Sequence, residues 1–173
     1  MKKTILLLLP FIFLNCSPTG KIITTNSEKM LIGKATKSDL EKAPFDAWYT
    51  SGYNEYKPNE EVTNQLKDKV TNITVTIFMG TWCEDSHDQV PDFYKVLEAC
   101  QFKERGITLI AMDRNKTTPD TYENGLNITN VPTFIFYEKG VEINRIVESP
   151  IKSLEEDMLE ILTGSSYKPN YFN

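Results

Sequence analysis

The chain has 173 residues, 40% of them hydrophobic, with 19 basic against 24 acidic side chains, a net charge of −5 and three cysteines. That length suits one domain with a real core plus an extension. The acidic balance, with no basic motif, excludes a positive field for nucleic acid, and so few cysteines do not make a disulfide framework.

Met1-Lys2-Lys3 is a basic start, and residues 5–14 are a short apolar run. The pattern predicts a secretory signal over residues 1–15, too short to span a membrane. The end of this segment, Phe13-Leu14-Asn15-Cys16-Ser17, resembles a bacterial lipobox, with Asn15 in place of the usual small residue. Cleavage there leaves 158 residues of the 173 and makes Cys16 the lipid-bearing first residue; an ordinary signal peptide cleaved nearby is the alternative. Lipid on Cys16 implies a membrane partner, with the chain anchored in the cell envelope facing the periplasm or exterior. Only Cys83 and Cys100 then remain as thiols. Residues 16–37 are polar and lack periodicity, which predicts a membrane-proximal tether.

Residues 38–58 are expected to form an N-terminal extension that packs on the core. Ser38-Asp39-Leu40-Glu41 reads as a capping box opening a short helix that ends near Pro44. Residues 45–57 carry Trp48, Tyr49, Tyr53 and Tyr56, too aromatic for a free linker, and an aromatic ligand-binding patch is the other reading. From Asn59 a helix is predicted, with Val62, Leu66 and Val70 on one stripe and acids leading lysines.

The β-branched and aromatic run over residues 73–78 predicts a strand, while Val90, Phe93, Tyr94, Leu97 and Cys100 recur at helical spacing. Between them lies Gly80-Thr81-Trp82-Cys83-Glu84-Asp85-Ser86-His87. Cys83 therefore falls at a helix N-terminus, where unpaired N–H groups and the helix dipole favour an anion. A cysteine so placed is a candidate thiolate nucleophile. Glu84 and Asp85 oppose ionisation weakly, by ~0.6 kcal/mol each at ~7 Å in a water-like dielectric. His87 shares a helix face with Cys83, where an imidazolium could steady a thiolate or relay a proton, although solvated surface is the ordinary fate of such a residue. Ser86 either donates its hydroxyl to the sulfur or fills space. Cys100, about 25 Å along the same helix, is beyond disulfide reach and reads as a small core residue.

Further on, the sequence predicts a strand over residues 107–112, a polar loop over 113–118 and a short helical turn over 119–124. An antiparallel pair follows, residues 133–137 and 141–147 around a hairpin. The last helix starts near Ser149 or Ser153, carries Leu154, Met158, Ile161 and Leu162, and stops at Gly164. Residues 165–173 are a tail without assignment. The class is α/β, a mixed central sheet flanked by helices.

Taken together, residues 59–164 resemble the thioredoxin superfamily. Trp82-Cys83 matches the first half of a Trp-Cys-x-x-Cys motif after a strand, Pro91 follows by eight residues, and Val131-Pro132-Thr133-Phe134-Ile135-Phe136 with Glu138-Lys139-Gly140 matches the cis-proline strand and hairpin. The resemblance implies that Pro132 sits against the active sulfur, that its cis bond turns the Val131 backbone outward toward an extended substrate, and that Trp82 borders the same surface. Two positions depart from the family. Ser86 replaces the second cysteine, removing an intramolecular disulfide, and Ile77 stands where the family has a buried acid. Both losses fit chemistry at one thiol: mixed disulfides between Cys83 and protein or low-molecular-weight thiols, resolved by an external thiol, with Ser86 and His87 as its candidate helpers. No cofactor is implied. Two other readings stand beside this one: a thioredoxin-fold binding module without turnover, and a copper site at Cys83 and His87 or an iron–sulfur cluster, for which a second motif cysteine and a Cys-Gly-Phe-Ser signature are missing.

Overall fold

The structure, a computed structural model, describes residues 20–25 and 28–171. The predicted signal, and Cys16 with its expected lipid, lie outside the described residues.

The expected tether is, in its described part, a hairpin. Strands β1 (Lys21–Thr25) and β2 (Glu28–Ala35) pair antiparallel, and β2 joins the central sheet beside β4. The cause is the run Met30-Leu31-Ile32, whose side chains are buried. Burying three such residues stabilises by several kcal/mol, roughly 1.5–3 each, which solvating them as a linker would forfeit.

The first helix begins two residues earlier than its predicted box. In α1 (Lys37–Leu40) Thr36 is the N-cap, and the Asp39 carboxylate accepts from both the Thr36 N–H at 3.0 Å and its hydroxyl at 2.7 Å. The aromatic segment after it forms α2 (Asp46–Glu55), which lies on α4 (Glu84–Ala99). Gly52 is where the two helices come closest, since a Cβ there would stand 2.8 Å from Pro91 Cγ. Helix α3 (Glu60–Leu66) starts as predicted from Asn59, whose side chain accepts from the Glu61 and Val62 N–H groups, and a 3-10 turn then carries Val70.

Strands β3 (Ile73–Met79), β4 (Ile107–Ala111), β5 (Thr133–Glu138) and β6 (Val141–Val147) complete a six-stranded sheet in the order β1-β2-β4-β3-β5-β6. Only β3 and β4 run parallel, so the sheet is mixed as expected. Alternation along the strands splits the core in two. Val75, Ile77, Leu109, Ala111, Phe134 and Phe136 face the helices, together with α5 (Leu154–Leu162), while Phe78, Ile110, Met112 and Ile135 face the other way. That second face is covered by the segment between β4 and β5, through Tyr122, Leu126 and Ile128. The segment is built of turns, and the helical turn predicted over residues 119–124 does not form. Thr118 there accepts the Tyr122 N–H at its hydroxyl and donates to Glu123, satisfying backbone groups that a helix would have used.

Helix α5 starts at Ser153, whose Oγ accepts the Glu156 N–H, and its last turn closes at Gly164. Part of the tail is anchored. Tyr167 is buried and donates its hydroxyl to Asp157, a fully buried carboxylate that also accepts the Ile151 N–H at 2.6 Å. None of the described helices is long and apolar enough to cross a membrane.

Candidate active site

The strand-to-helix turn after β3 carries the candidate residues. Cys83 is the N-cap of α4 in extended backbone (φ −103°, ψ 124°) and is half-buried. The Val131–Pro132 bond is cis, and the Cys83 thiol donates to the Val131 carbonyl at 3.2 Å. The placement that the resemblance implied for Cys83, Val131 and Pro132 is therefore present. The second group near the sulfur is the Asp85 carboxylate, 3.9 Å from Sγ. Both neighbours are hydrogen-bond acceptors, and among the described residues no side-chain cap bond runs from a helix N–H to Sγ.

Of the two roles read for Ser86 the structure shows the space-filling one, and His87 is turned to other partners. Ser86 is fully buried and its Oγ accepts the Gly80 N–H at 3.2 Å, closing the turn; it makes no hydrogen bond to Cys83 among the described residues. His87 does not face the sulfur either. Its Nε2 lies 2.9 Å from the Thr81 carbonyl and its ring stacks on Trp48 at 4.4 Å. A carbonyl only accepts, so Nε2 carries the proton and His87 acts as a clamp on the turn. Helical spacing put the two residues on one face, but the aromatic surface of α2 and the open carbonyl of Thr81 draw the ring away.

Thr81 is held from both sides. Besides His87 at its carbonyl, its buried hydroxyl accepts the Leu31 N–H at 3.1 Å, from the hairpin that was expected to be a tether. Trp82 is fixed by its indole N–H, which donates to the Met112 carbonyl at 2.9 Å. Arg114 lies over the ring, 5.2 Å from its centroid, and pairs with Glu28 of β2 at 2.8 Å. Gly80 makes room for that ring, because a Cβ at this position would stand 2.5 Å from it. Thr81, Leu31 and Arg114 were not recognised in the sequence. The one available signal was the apolar run at residues 30–32, a short strand pattern inside a polar segment.

Cys100 is buried at the end of α4, and desolvation pushes its thiol up to about 12, in keeping with a core residue. Ile77 is fully buried in the apolar cluster, so the region of the missing acid is hydrophobic packing. Among the described residues no three or more His, Cys, Asp or Glu side chains form a group arranged to hold a metal ion.

Sheet order, a half-buried cysteine at the start of the long helix and a cis-proline against its sulfur define a thioredoxin-like protein. The sequence matches a family model described as thioredoxin over residues 37–160, and the chain belongs to that family. No curated protein matches it. The crystal structure of a protein of unknown function from Pseudomonas aeruginosa is 13% identical, with 77% of this chain and 84% of that one covered at a TM-score of 0.53, a likeness of fold alone. A mutant thioredoxin from Halobacterium salinarum is 14% identical, with 66% and 91% covered at a TM-score of 0.37.

Proposed function

We propose that this chain is an envelope-anchored thiol–disulfide oxidoreductase that works through Cys83 alone. The observation that carries the reading is the 3.2 Å approach of Cys83 Sγ to the Val131 carbonyl beside cis-Pro132, with the sulfur still half-exposed. In that position an extended substrate segment can pair with the Val131 backbone while its disulfide meets the thiol. The Cys83 thiolate attacks one substrate sulfur, a new S–S bond forms, the old one breaks, and the departing thiolate takes a proton from water. An external thiol then attacks the mixed disulfide and returns Cys83 to its reduced form. Ser86 has no sulfur with which to do this itself. Protein or low-molecular-weight disulfides are the partners, and the anchor is lipid on Cys16.

The test is incubation with a disulfide-bonded peptide, followed by mass mapping of the peptide that contains Cys83. The adduct is expected on Cys83 and absent from Cys83→Ser. A second reading, a binding module without turnover, is favoured by one observation: the groups around Sγ are the acceptors Val131 and Asp85. Absence of any adduct on Cys83 would select it.

A further inference from the structure

We infer that Asp85, with Glu84 beside it, makes the Cys83 site discriminate among disulfides by charge, accepting cationic partners and rejecting anionic ones. This rests on the oxidoreductase reading. The Asp85 carboxylate is 3.9 Å from Sγ, and both acids are exposed in the first turn of α4. Among the described residues neither has a Lys, Arg or His within ion-pair distance. Arg114, the cation beside Trp82, is engaged by Glu28.

A third acid lies at the cis-proline turn. Glu148 donates its backbone N–H to the Pro132 carbonyl at 2.7 Å and accepts the Asn130 amide at 3.1 Å, so it borders the cis-proline turn. A substrate sulfur bonding to Cys83 brings its flanking groups into this negative field.

The reaction at stake is the exchange already described, with the disulfide as co-reactant and one thiolate released. A charge three bonds from the reacting sulfur can come to about 6 Å from Asp85. In a water-like dielectric that separation changes the encounter by about threefold per charge pair, and less as salt screens it. The favoured partner is a disulfide flanked by amines or by basic side chains of a polypeptide. Disulfides flanked by carboxylates, glutathione disulfide included, are poor ones.

The test uses the full chain with three small disulfides, cystamine (cationic), hydroxyethyl disulfide (neutral) and dithiodiglycolate (anionic). The second-order rate of adduct formation on the Cys83 peptide is measured at ~0.02 M and ~0.5 M salt, and each rate is divided by that of a neutral reference thiol. The thiolate fraction of Cys83 is common to all three and cancels. At low salt the normalised rates should fall about threefold at each step from cation to neutral to anion, and the spread should shrink at high salt. Asp85→Asn should reduce the spread and Asp85→Lys should invert the order. Equal normalised rates overturn the inference and leave the oxidoreductase reading standing, as does an order that Asp85→Lys leaves unchanged. No adduct on Cys83 with any of the three overturns both.

Discussion

At Cys83 and Cys100 the same side chain meets opposite environments. Cys83 is half-buried at a turn, whereas Cys100 is 1% exposed and its thiol is pushed up to about 12 by burial. Reaction follows the thiolate and its access. Iodoacetamide at neutral pH should therefore modify Cys83 and leave Cys100 untouched until the protein unfolds, read by peptide mapping; modification of Cys100 at the same rate would contradict the burial. Tyr49 makes a second prediction at this scale. Its hydroxyl is buried without a hydrogen-bond partner among the described residues, and desolvation raises its phenol well above the ordinary value. A buried, unpaired hydroxyl costs about 1–3 kcal/mol, so Tyr49→Phe should stabilise the fold by about 1 kcal/mol in chemical denaturation. A destabilised variant would show that the hydroxyl has a partner.

Between elements, the turn that carries Cys83 is held by β2 and α2, neither of which the sequence resemblance covered. Thr81→Val keeps the shape and removes the acceptor of the buried Leu31 N–H, a loss of about 1–3 kcal/mol. It should slow adduct formation at Cys83, and Thr81→Ser should restore both stability and rate. Equal rates in Thr81→Val and wild type would show that the hairpin only braces the fold. Where α2, α4 and α5 meet, Asp92 has its carboxyl pushed up to about 7, chiefly by desolvation and then by Asp88, Glu155 and Glu55. The folded state thus holds this proton between about pH 4 and pH 7 while the unfolded state has lost it. Stability from Asp92 is fully present below its unfolded value and is lost as pH rises through about 7. Solvent screening at this half-buried site limits the change to about 1–2 kcal/mol. Asp92→Asn should flatten the pH dependence over that range and be the more stable variant at pH 8; a pH profile unchanged by the substitution would contradict the assignment.

Over the whole molecule, the placement of Cys83, Val131 and Pro132 was legible because each lies in a strong local pattern, a strand-to-helix turn or a Val-Pro-Thr-Phe strand start. What was not legible depended on contacts distant in sequence. Spacing put His87 beside Cys83, but a helical wheel does not contain Trp48, thirty-nine residues away, and the stacked ring decides the rotamer. The hairpin was missed because polar residues around Met30-Leu31-Ile32 mask a short buried strand that only β4 reveals. Its presence bears on the proposed anchoring. From Cys16 to Lys21 an extended chain spans at most ~18 Å, so a lipid on Cys16 would hold the domain against the membrane. Cys16→Ala should then move the protein from the membrane to the soluble fraction, and an unchanged distribution would remove the anchor.

The proposed single-cysteine mechanism turns on Ser86. A mixed disulfide on Cys83 has no sulfur at the second motif position to release it, because Ser86 fills that buried position and bonds Gly80 instead. The direct measurement is the steady-state fraction of protein carrying a peptide adduct, by intact mass, in wild type and in Ser86→Cys, with and without a small external thiol. Wild type should accumulate the adduct and discharge it only when the thiol is added, while Ser86→Cys should hold less adduct, release the peptide unaided and form an internal disulfide. The same trapped fraction in both proteins, or an adduct that survives Cys83→Ser, would contradict it.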